Sequence, residues 1–171
     1  MKFGRYYIGQ DFSEISENAD EVSKANKAVH LKEHEDEIEY HVNNANFCHA
    51  EWGTCVNVSR GQVFSISMQT TDRYLIYPMT GEIFYDILFK YLNEKLSKIV
   101  DQNQEGSISL SVWDAPWGNV VLIKSLVKGS KDGLQEYNLA VRGGPPSDKV
   151  DKGVKDLFMD LLIGLNDFSA S

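Results

Sequence analysis

Residues 107–142 read SISLSVWDAPWGNVVLIKSLVKGSKDGLQEYNLAVR, and this stretch decides the fold class. Its opening residues alternate between serine and apolar side chains, which places Ile108, Leu110 and Val112 on one side of an extended chain. A period of two indicates a half-buried β-strand. We therefore expect the three apolar side chains to face the core and the serines to face solvent.

Two turn signals divide this stretch into three strands. Pro116 and Gly118 are poorly suited to the interior of a paired strand, so a turn is predicted at residues 114–119. Asp132 and Gly133 favour the left-handed backbone of a tight hairpin. The stretch is therefore predicted to form a three-stranded antiparallel meander on which the rest of the chain packs.

Apolar residues at helical spacing predict two main helices, at about residues 80–99 and 148–166. Thr80 is a suitable N-cap for the first helix, and Ser147 or Asp148 for the second. The apolar stripe of the first helix comprises Phe84, Leu88, Tyr91, Leu92, Leu96 and Ile99. The apolar stripe of the second comprises Val154, Leu157, Phe158, Leu161, Leu162 and Leu165.

Further strands are predicted before the first helix. Single strands are expected at residues 2–8, 28–31, 37–42 and 74–77, a hairpin at 55–58 and 63–70, and an irregular segment at 43–53. Strand groups separated by single helices are typical of the α+β class. The sequence thus predicts one α+β domain over residues 1–171, with a largely antiparallel sheet of about six to eight strands packed by two helices.

The composition narrows the classes of partner. The chain of 171 residues has 25 acidic and 17 basic side chains, for a formal charge of −8. This balance disfavours binding to nucleic acid or to an anionic membrane, because both are polyanions. The sequence has no run of about 20 apolar residues that could span a bilayer and no signal-peptide pattern, so a cytoplasmic protein with reduced cysteines is expected.

The negative charge is concentrated in one segment. Ten acidic residues and three lysines lie between Gln10 and Glu39, which gives the segment a net charge of −7. Such a segment could be a docking surface for a basic protein, or only a solvated surface that keeps the protein soluble. Under the docking interpretation, the ion-pairing residues are Glu33, Glu35, Asp36, Glu37 and Glu39.

Histidine and cysteine residues cluster between residues 34 and 55. They are His34, His41, Cys48, His49 and Cys55. Structural zinc sites use closer pairs than the His-x6-His and Cys-x6-Cys spacings found here. A cysteine nucleophile would need a surrounding signature that the sequence lacks. The sequence therefore predicts neither a bound metal nor another cofactor.

Trp117 lies in the predicted turn at residues 114–119, close to Trp113. Aromatic residues are frequent anchors of protein interfaces, so an exposed Trp117 is a candidate partner-binding residue. The alternative is that one or both tryptophans cover the core beneath the turn.

The function predicted from these features is protein binding without catalysis. The sequence lacks the phosphate-binding, dinucleotide-binding, serine-hydrolase and zinc-protease motifs. A small acidic protein of this kind is expected to act as an inhibitor that neutralises a basic partner, by analogy with bacterial immunity proteins that neutralise toxins. One alternative is a small-molecule-binding or enzymatic α+β domain with a pocket between sheet and helices. A third is a structural homodimer that pairs through serine-rich strand faces.

Overall fold

A computed structural model describes residues 1–18, 23–24, 38–96 and 98–144. These ranges contain the helices α1 (Phe12–Asn18) and α2 (Gly81–Lys95) and a 3₁₀ helix at Asp72–Tyr74. The strands are β1 (Ser23–Lys24), β2 (Ile38–Phe47), β3 (Ala50–Ser59), β4 (Gln62–Thr71), β5 (Lys98–Glu105), β6 (Ile108–Ala115), β7 (Gly118–Leu126) and β8 (Gln135–Gly143). The strand predicted at residues 28–31 and the helix predicted at 148–166 lie outside the described residues.

All eight strands belong to one sheet, in the order β1-β2-β3-β4-β8-β7-β6-β5. Every neighbouring pair is antiparallel. Two sequential meanders, β1–β4 and β5–β8, are therefore joined by the pairing of β4 with β8. This confirms a sheet-rich α+β fold, in which the sheet dominates and α2 is the one substantial helix of the described ranges.

The main core lies between α2 and one side of the sheet, called here the inner face. Phe84, Leu88 and Leu92 recur along one side of α2 and are fully buried. Phe84 contacts both Trp52 of β3 and Tyr137 of β8, with ring centroids 6.3 and 4.8 Å apart. A single helix thus ties the two meanders together across their junction.

The prediction that β6 is half-buried is wrong, because both of its sides are covered. Ser109 and Ser111 are only 8% and 1% exposed, and they share the inner face with the buried Trp113. Burial of these serines follows from the position of α2, whose Tyr85 hydroxyl lies beside both of them. The apolar residues of β6 point to the opposite, outer face of the sheet. There they form a second buried group, called here the β6–β7 cluster: Ile108, Leu110, Val121 and Ile123, with Val112 packed against them.

Residues 43–53 were predicted to be irregular, and this is also wrong. They complete β2 and begin β3, which are joined by the two-residue turn Cys48–His49. Both turn residues have positive φ, at 46° and 62°. Such turns usually contain asparagine or glycine, so the sequence carried no turn signal at this place.

Three other predicted boundaries differ from the structure. Residues 2–8 form a turn with one bridge between Phe3 and Tyr6, whose side chains enter the core, rather than a strand. Residues 74–77 follow the 3₁₀ helix and contribute a single bridge through Leu75. The helix predicted to end near residue 99 ends at Lys95. The prediction was too long because apolar residues continue through Leu96 into β5.

Asp72 connects the 3₁₀ helix, α2 and β8. Its Oδ1 accepts a hydrogen bond from the Tyr137 hydroxyl at 2.8 Å, and its Oδ2 accepts one from the Gln135 backbone N–H at 3.0 Å. The carboxylate also lies against Gly81, where an added Cβ would be 2.6 Å from Oδ1. A negative charge beside the first residue of a helix is favourable because of the helix dipole.

Replacing Asp72 should therefore destabilise the protein. Asp72→Ala leaves the fully buried Tyr137 without its acceptor and removes the charge from the start of α2, so we expect a loss of about 2–3 kcal/mol in the free energy of unfolding. Urea denaturation measures this loss. Asp132→Ala, in the exposed β7–β8 connection, is the control and should change the free energy by less than about 0.5 kcal/mol. Equal effects of the two substitutions would contradict the role given to Asp72.

Candidate interaction surface

The outer sides of β2, β3, β4 and β8 form a polar surface, called here the acidic face. Strand alternation places every second residue of each strand on this side. Its acidic members are Glu39 on β2, Glu51 on β3 and Glu136 on β8. Its other members include His41, Gly53, Cys55, Ser67, Gln69, Asn138, Ala140 and Arg142. The pairing of β4 with β8 brings Glu136 into the same surface as carboxylates from the first meander.

Neutral amides hold two of these carboxylates in place. Glu51 Oε1 accepts a hydrogen bond from Asn44 Nδ2 at 2.8 Å. Glu136 Oε1 accepts bonds from Gln69 Nε2 at 2.7 Å and from Asn138 Nδ2 at 2.8 Å. Amide donors orient a carboxylate without neutralising its charge. The two groups are therefore positioned but remain negative.

Within residues 1–18, 23–24, 38–96 and 98–144, none of these three carboxylates has a lysine or arginine at salt-bridge distance. The ion pair found in these ranges joins Lys90 and Glu94 of α2, at 4.0 Å. Arg142, the cation on the acidic face, places its guanidinium 5.6 Å from the centre of the Phe64 ring. The described part of this face thus has a net negative charge.

A cysteine and a histidine lie side by side on the same face. His41 and Cys55 are paired across β2 and β3, and Cys55 Sγ is 3.0 Å from His41 Nδ1. Burial, with a smaller contribution from the Glu39 carboxylate, raises the pKa of Cys55 to about 11. Burial raises the pKa of the Cys48 thiol to about 12. Both thiols are protonated at neutral pH, a state that does not favour nucleophilic chemistry.

The raised pKa values predict slow alkylation. A pKa of about 11 in place of the usual 9.0 lowers the thiolate fraction near neutral pH, so Cys55 should react with iodoacetamide about 100-fold more slowly than an unperturbed thiol. Because the folded-state pKa is raised, the stability that this thiol contributes is present below about pH 9 and is lost as the pH rises through about 11. Mass spectrometry of the alkylated protein, native and urea-unfolded, measures the ratio of the two Cys55 alkylation rates. Equal rates in the two states would contradict the prediction.

A cleft of about 290 Å³ opens on the acidic face where β3 begins and β4 ends. Its lining comprises Asn44, Glu51, Gly53, Gln69, Thr70, Thr71 and Tyr74. Glu51 is the carboxylate in this lining, and Tyr74 closes one side while remaining 58% exposed. The cleft therefore joins the acidic face to the segment that follows β4.

That segment, residues 74–77, exposes unusually large apolar side chains and is called here the tyrosine segment. Tyr77 is 94% exposed, and Ile76 is 43% exposed. Ile83 and Ile87, early in α2, are also exposed. Exposed apolar groups concentrated in one region are typical of interaction sites.

The structure separates the residues that the sequence singled out for partner binding. Glu39 lies on the acidic face, whereas Glu33, Glu35, Asp36 and Glu37 are outside the described residues. Trp117 is half-buried and packs edge-to-face against Phe3 at 6.2 Å, which belongs to the main core. Trp117 and Glu39 are thus on opposite sides of the sheet.

Three candidate residues were missed by the sequence reasoning: Glu51, Glu136 and Tyr77. The glutamates are far apart in the chain and outside the acidic segment, so no local pattern connects them. Tyr77 belonged to a predicted strand, in which a tyrosine is usual. An available signal was the pair Tyr77–Pro78, because proline ends regular pairing and leaves the preceding residue outside the sheet.

Comparisons with protein-family models, with curated proteins and with solved structures found no match. In the described ranges, no helix is long and apolar enough to cross a membrane. The same ranges contain no group of three or more histidine, cysteine, aspartate or glutamate side chains placed to hold a metal ion.

Proposed function

We propose that the protein binds and inhibits a basic protein partner, in the manner of an immunity protein that neutralises a toxin. The observation that supports this most directly is the acidic face. Glu51 and Glu136 lie two strands apart near one end of this face, and Glu39 lies toward the other end. None of the three has a lysine or arginine at salt-bridge distance in the described ranges. Negative carboxylates, two of them oriented by amide donors, are suited to meet the cations of a partner.

Charge on this face would act mainly on the rate of encounter. A chain with a formal charge of −8 attracts a basic protein over distances comparable to the Debye length of about 8–10 Å. Four acidic residues at positions 33–37 immediately precede β2 and Glu39 in the sequence and add to the negative charge of this part of the chain. Binding driven in this way must weaken as salt increases.

The tyrosine segment supplies the apolar contacts that charge alone cannot provide. Tyr74 and Glu51 line the same cleft, so the exposed tyrosines adjoin the acidic face. Tyrosine combines a large apolar ring with a hydroxyl and is enriched among the residues that carry most of the binding energy at interfaces. In this proposal the carboxylates attract the partner, and Tyr74 and Tyr77 anchor it.

The packing around α2 does not favour a small-molecule pocket, and it removes one of the strand faces considered for a dimer. Aromatic and leucine side chains fill the space between α2 and the sheet, where a small-molecule pocket was considered, and Phe84, Leu88 and Leu92 are 0% exposed. The cleft at Glu51 is on the other side of the sheet. Of the serine-rich strand faces considered for a dimer, the one on β6 is buried beneath α2, where Ser109 and Ser111 are 8% and 1% exposed.

Capture from a lysate of the source cell tests the proposal. Immobilised protein at low ionic strength should retain one basic protein, which a salt gradient releases and native mass spectrometry identifies as a stoichiometric complex. The released protein should lose its own activity when the chain is added back. Retention of nothing, or of proteins that salt does not release, would contradict the proposal.

A further inference from the structure

We infer that the β6–β7 cluster is the docking surface for the chain's own carboxyl-terminal segment, residues 145–171. Burial is the first observation. Ile108, Leu110, Val121 and Ile123 are between 0% and 5% exposed, although they point away from the main core. Their described apolar neighbour, Val112, lies in the same sheet. A sheet face without a covering layer stays accessible from above, so burial this complete requires another element over it.

The extent of the cover follows from the neighbouring strand. Val121 pairs with Ala140 of β8, which is on the same outer side and is exposed. The layer that buries the β6–β7 cluster therefore ends before β8. It covers a strip about two strands wide, or about 10 Å, which is the width of one α-helix.

The point at which the chain leaves the sheet favours residues 145–171. The strand β8 borders β7 and ends at Gly143, which pairs with Gly118 beside the β6–β7 turn. Gly144 follows with φ of +90°, a conformation that redirects the chain at little cost for glycine. The segment thus starts at one end of the strip that needs a cover.

The sequence of the segment matches the strip in pattern and in length. Its apolar positions recur at spacings of three and four, on one side of the helix predicted at residues 148–166. They are Val154, Leu157, Phe158, Leu161, Leu162 and Leu165. A helix of this span is about 28 Å long, and β7, with nine residues, is about 30 Å long. One helix lying along β7 would place its apolar stripe over the cluster.

Other occupants are less compatible with the structure. Residues 25–37 join β1 to β2, four strand positions from β7, and carry four acidic residues. A second copy of the chain is not needed, because the cluster is buried within one chain. Docking of residues 145–171 would produce helices on both sides of the sheet. The acidic face would then be the part of the outer surface left open to a partner.

Nuclear Overhauser effects in the full-length protein test this inference directly. The Ile108 and Ile123 δ1-methyl groups should show cross-peaks to the side chains of Phe158 and Leu161 within one chain. Cross-peaks from these methyls to residues 25–37 would overturn the inference. Intermolecular cross-peaks in a mixture of labelled and unlabelled protein, or no cross-peak to residues 154–165, would also overturn it.

A matched pair of substitutions supplies a second test. Leu161 and Ile163 are two residues apart but on opposite sides of the predicted helix. Leu161→Asp should lower the melting temperature of the full-length protein by about 10 °C and increase the fluorescence of a bound apolar dye. Ile163→Asp should lower it by no more than about 3 °C, with no dye response. Equal shifts for the two variants, or a larger shift for Ile163→Asp, would overturn the inference.

Discussion

Gly118→Ala is expected to destabilise the fold severely. An added Cβ at Gly118 would overlap the backbone oxygen of Arg142 and lie 2.9 Å from the Cα of Gly143. Both contacts are with backbone, so no side-chain rotation relieves them. The φ of +154° at Gly118 is also rarely adopted by residues with a side chain. Relief of the clash would require β7 and β8 to separate at the end of the meander.

The expected cost is at least about 4 kcal/mol, a large part of the total stability of about 5–15 kcal/mol for a domain. Circular dichroism and urea denaturation of the purified variant measure it. Gly53→Ala is the matched control, because its Cβ would meet the Gln69 backbone oxygen at an ordinary 3.7 Å. The control should change stability by about 1 kcal/mol or less. A cooperative, stable Gly118→Ala variant would show that β7 and β8 are not paired at Gly118 and Gly143.

Charge reversal on the acidic face is expected to have the largest effect on binding. The triple variant Glu39→Lys, Glu51→Lys and Glu136→Lys changes the formal charge from −8 to −2. Under the proposed function, it places lysines where a basic partner would present its own cations. Lost attraction and new repulsion should together weaken binding about 100- to 1,000-fold at low ionic strength. Titration calorimetry with the partner identified by capture measures this change. The difference in affinity between the variant and the wild type should become smaller as salt is added.

A second triple variant separates local charge from net charge. Glu94, Asp101 and Glu105 are exposed at the end of α2 and on the edge strand β5, away from the acidic face. Their replacement by lysine produces the same formal charge of −2. Affinity should fall by less than about 10-fold. Equal losses for the two variants would show that only net charge matters and that the acidic face is not the binding surface.

The segment at residues 33–37 permits a related comparison. Glu35, Asp36 and Glu37 immediately precede β2, and their reversal to lysine should weaken binding and flatten its salt dependence. Unchanged affinity would mean that these residues form only a solvated surface. In that outcome, Glu39, Glu51 and Glu136 would carry the interaction alone.

The spacing of apolar residues and the turn residues correctly predicted the helix and the strands whose own side chains are partly buried. The helix α2 and the hairpin β3–β4 follow from apolar spacing, and the meander β6–β8 follows from alternation and turn residues. The strand β5 could not be found in this way, because every residue from Lys98 to Glu105 is exposed and no alternation exists. It is a strand because β6 offers an edge for pairing, which is a tertiary cause.

The candidate site was harder to predict than the fold. Glu39 was found because it ends a visible run of acidic residues. Glu51 shares a face with it because β2 pairs with β3, and Glu136 does so because β4 pairs with β8. The order of strands in a sheet is not encoded in the spacing of any one segment. The error on β6 has a similar origin, since alternation showed two kinds of side chain but not that both faces would be covered.

The most direct test of the acidic face follows the side-chain amide signals in ¹H–¹⁵N spectra when the captured partner is added. Asn44, Gln69 and Asn138 donate to Glu51 or Glu136, so their NH₂ signals report on those carboxylates. These three signals should shift or broaden on binding, while those of Asn93 on α2 and Asn103 on β5 stay unchanged. Shifts confined to Asn93 or Asn103, with none among the first three, would contradict the account.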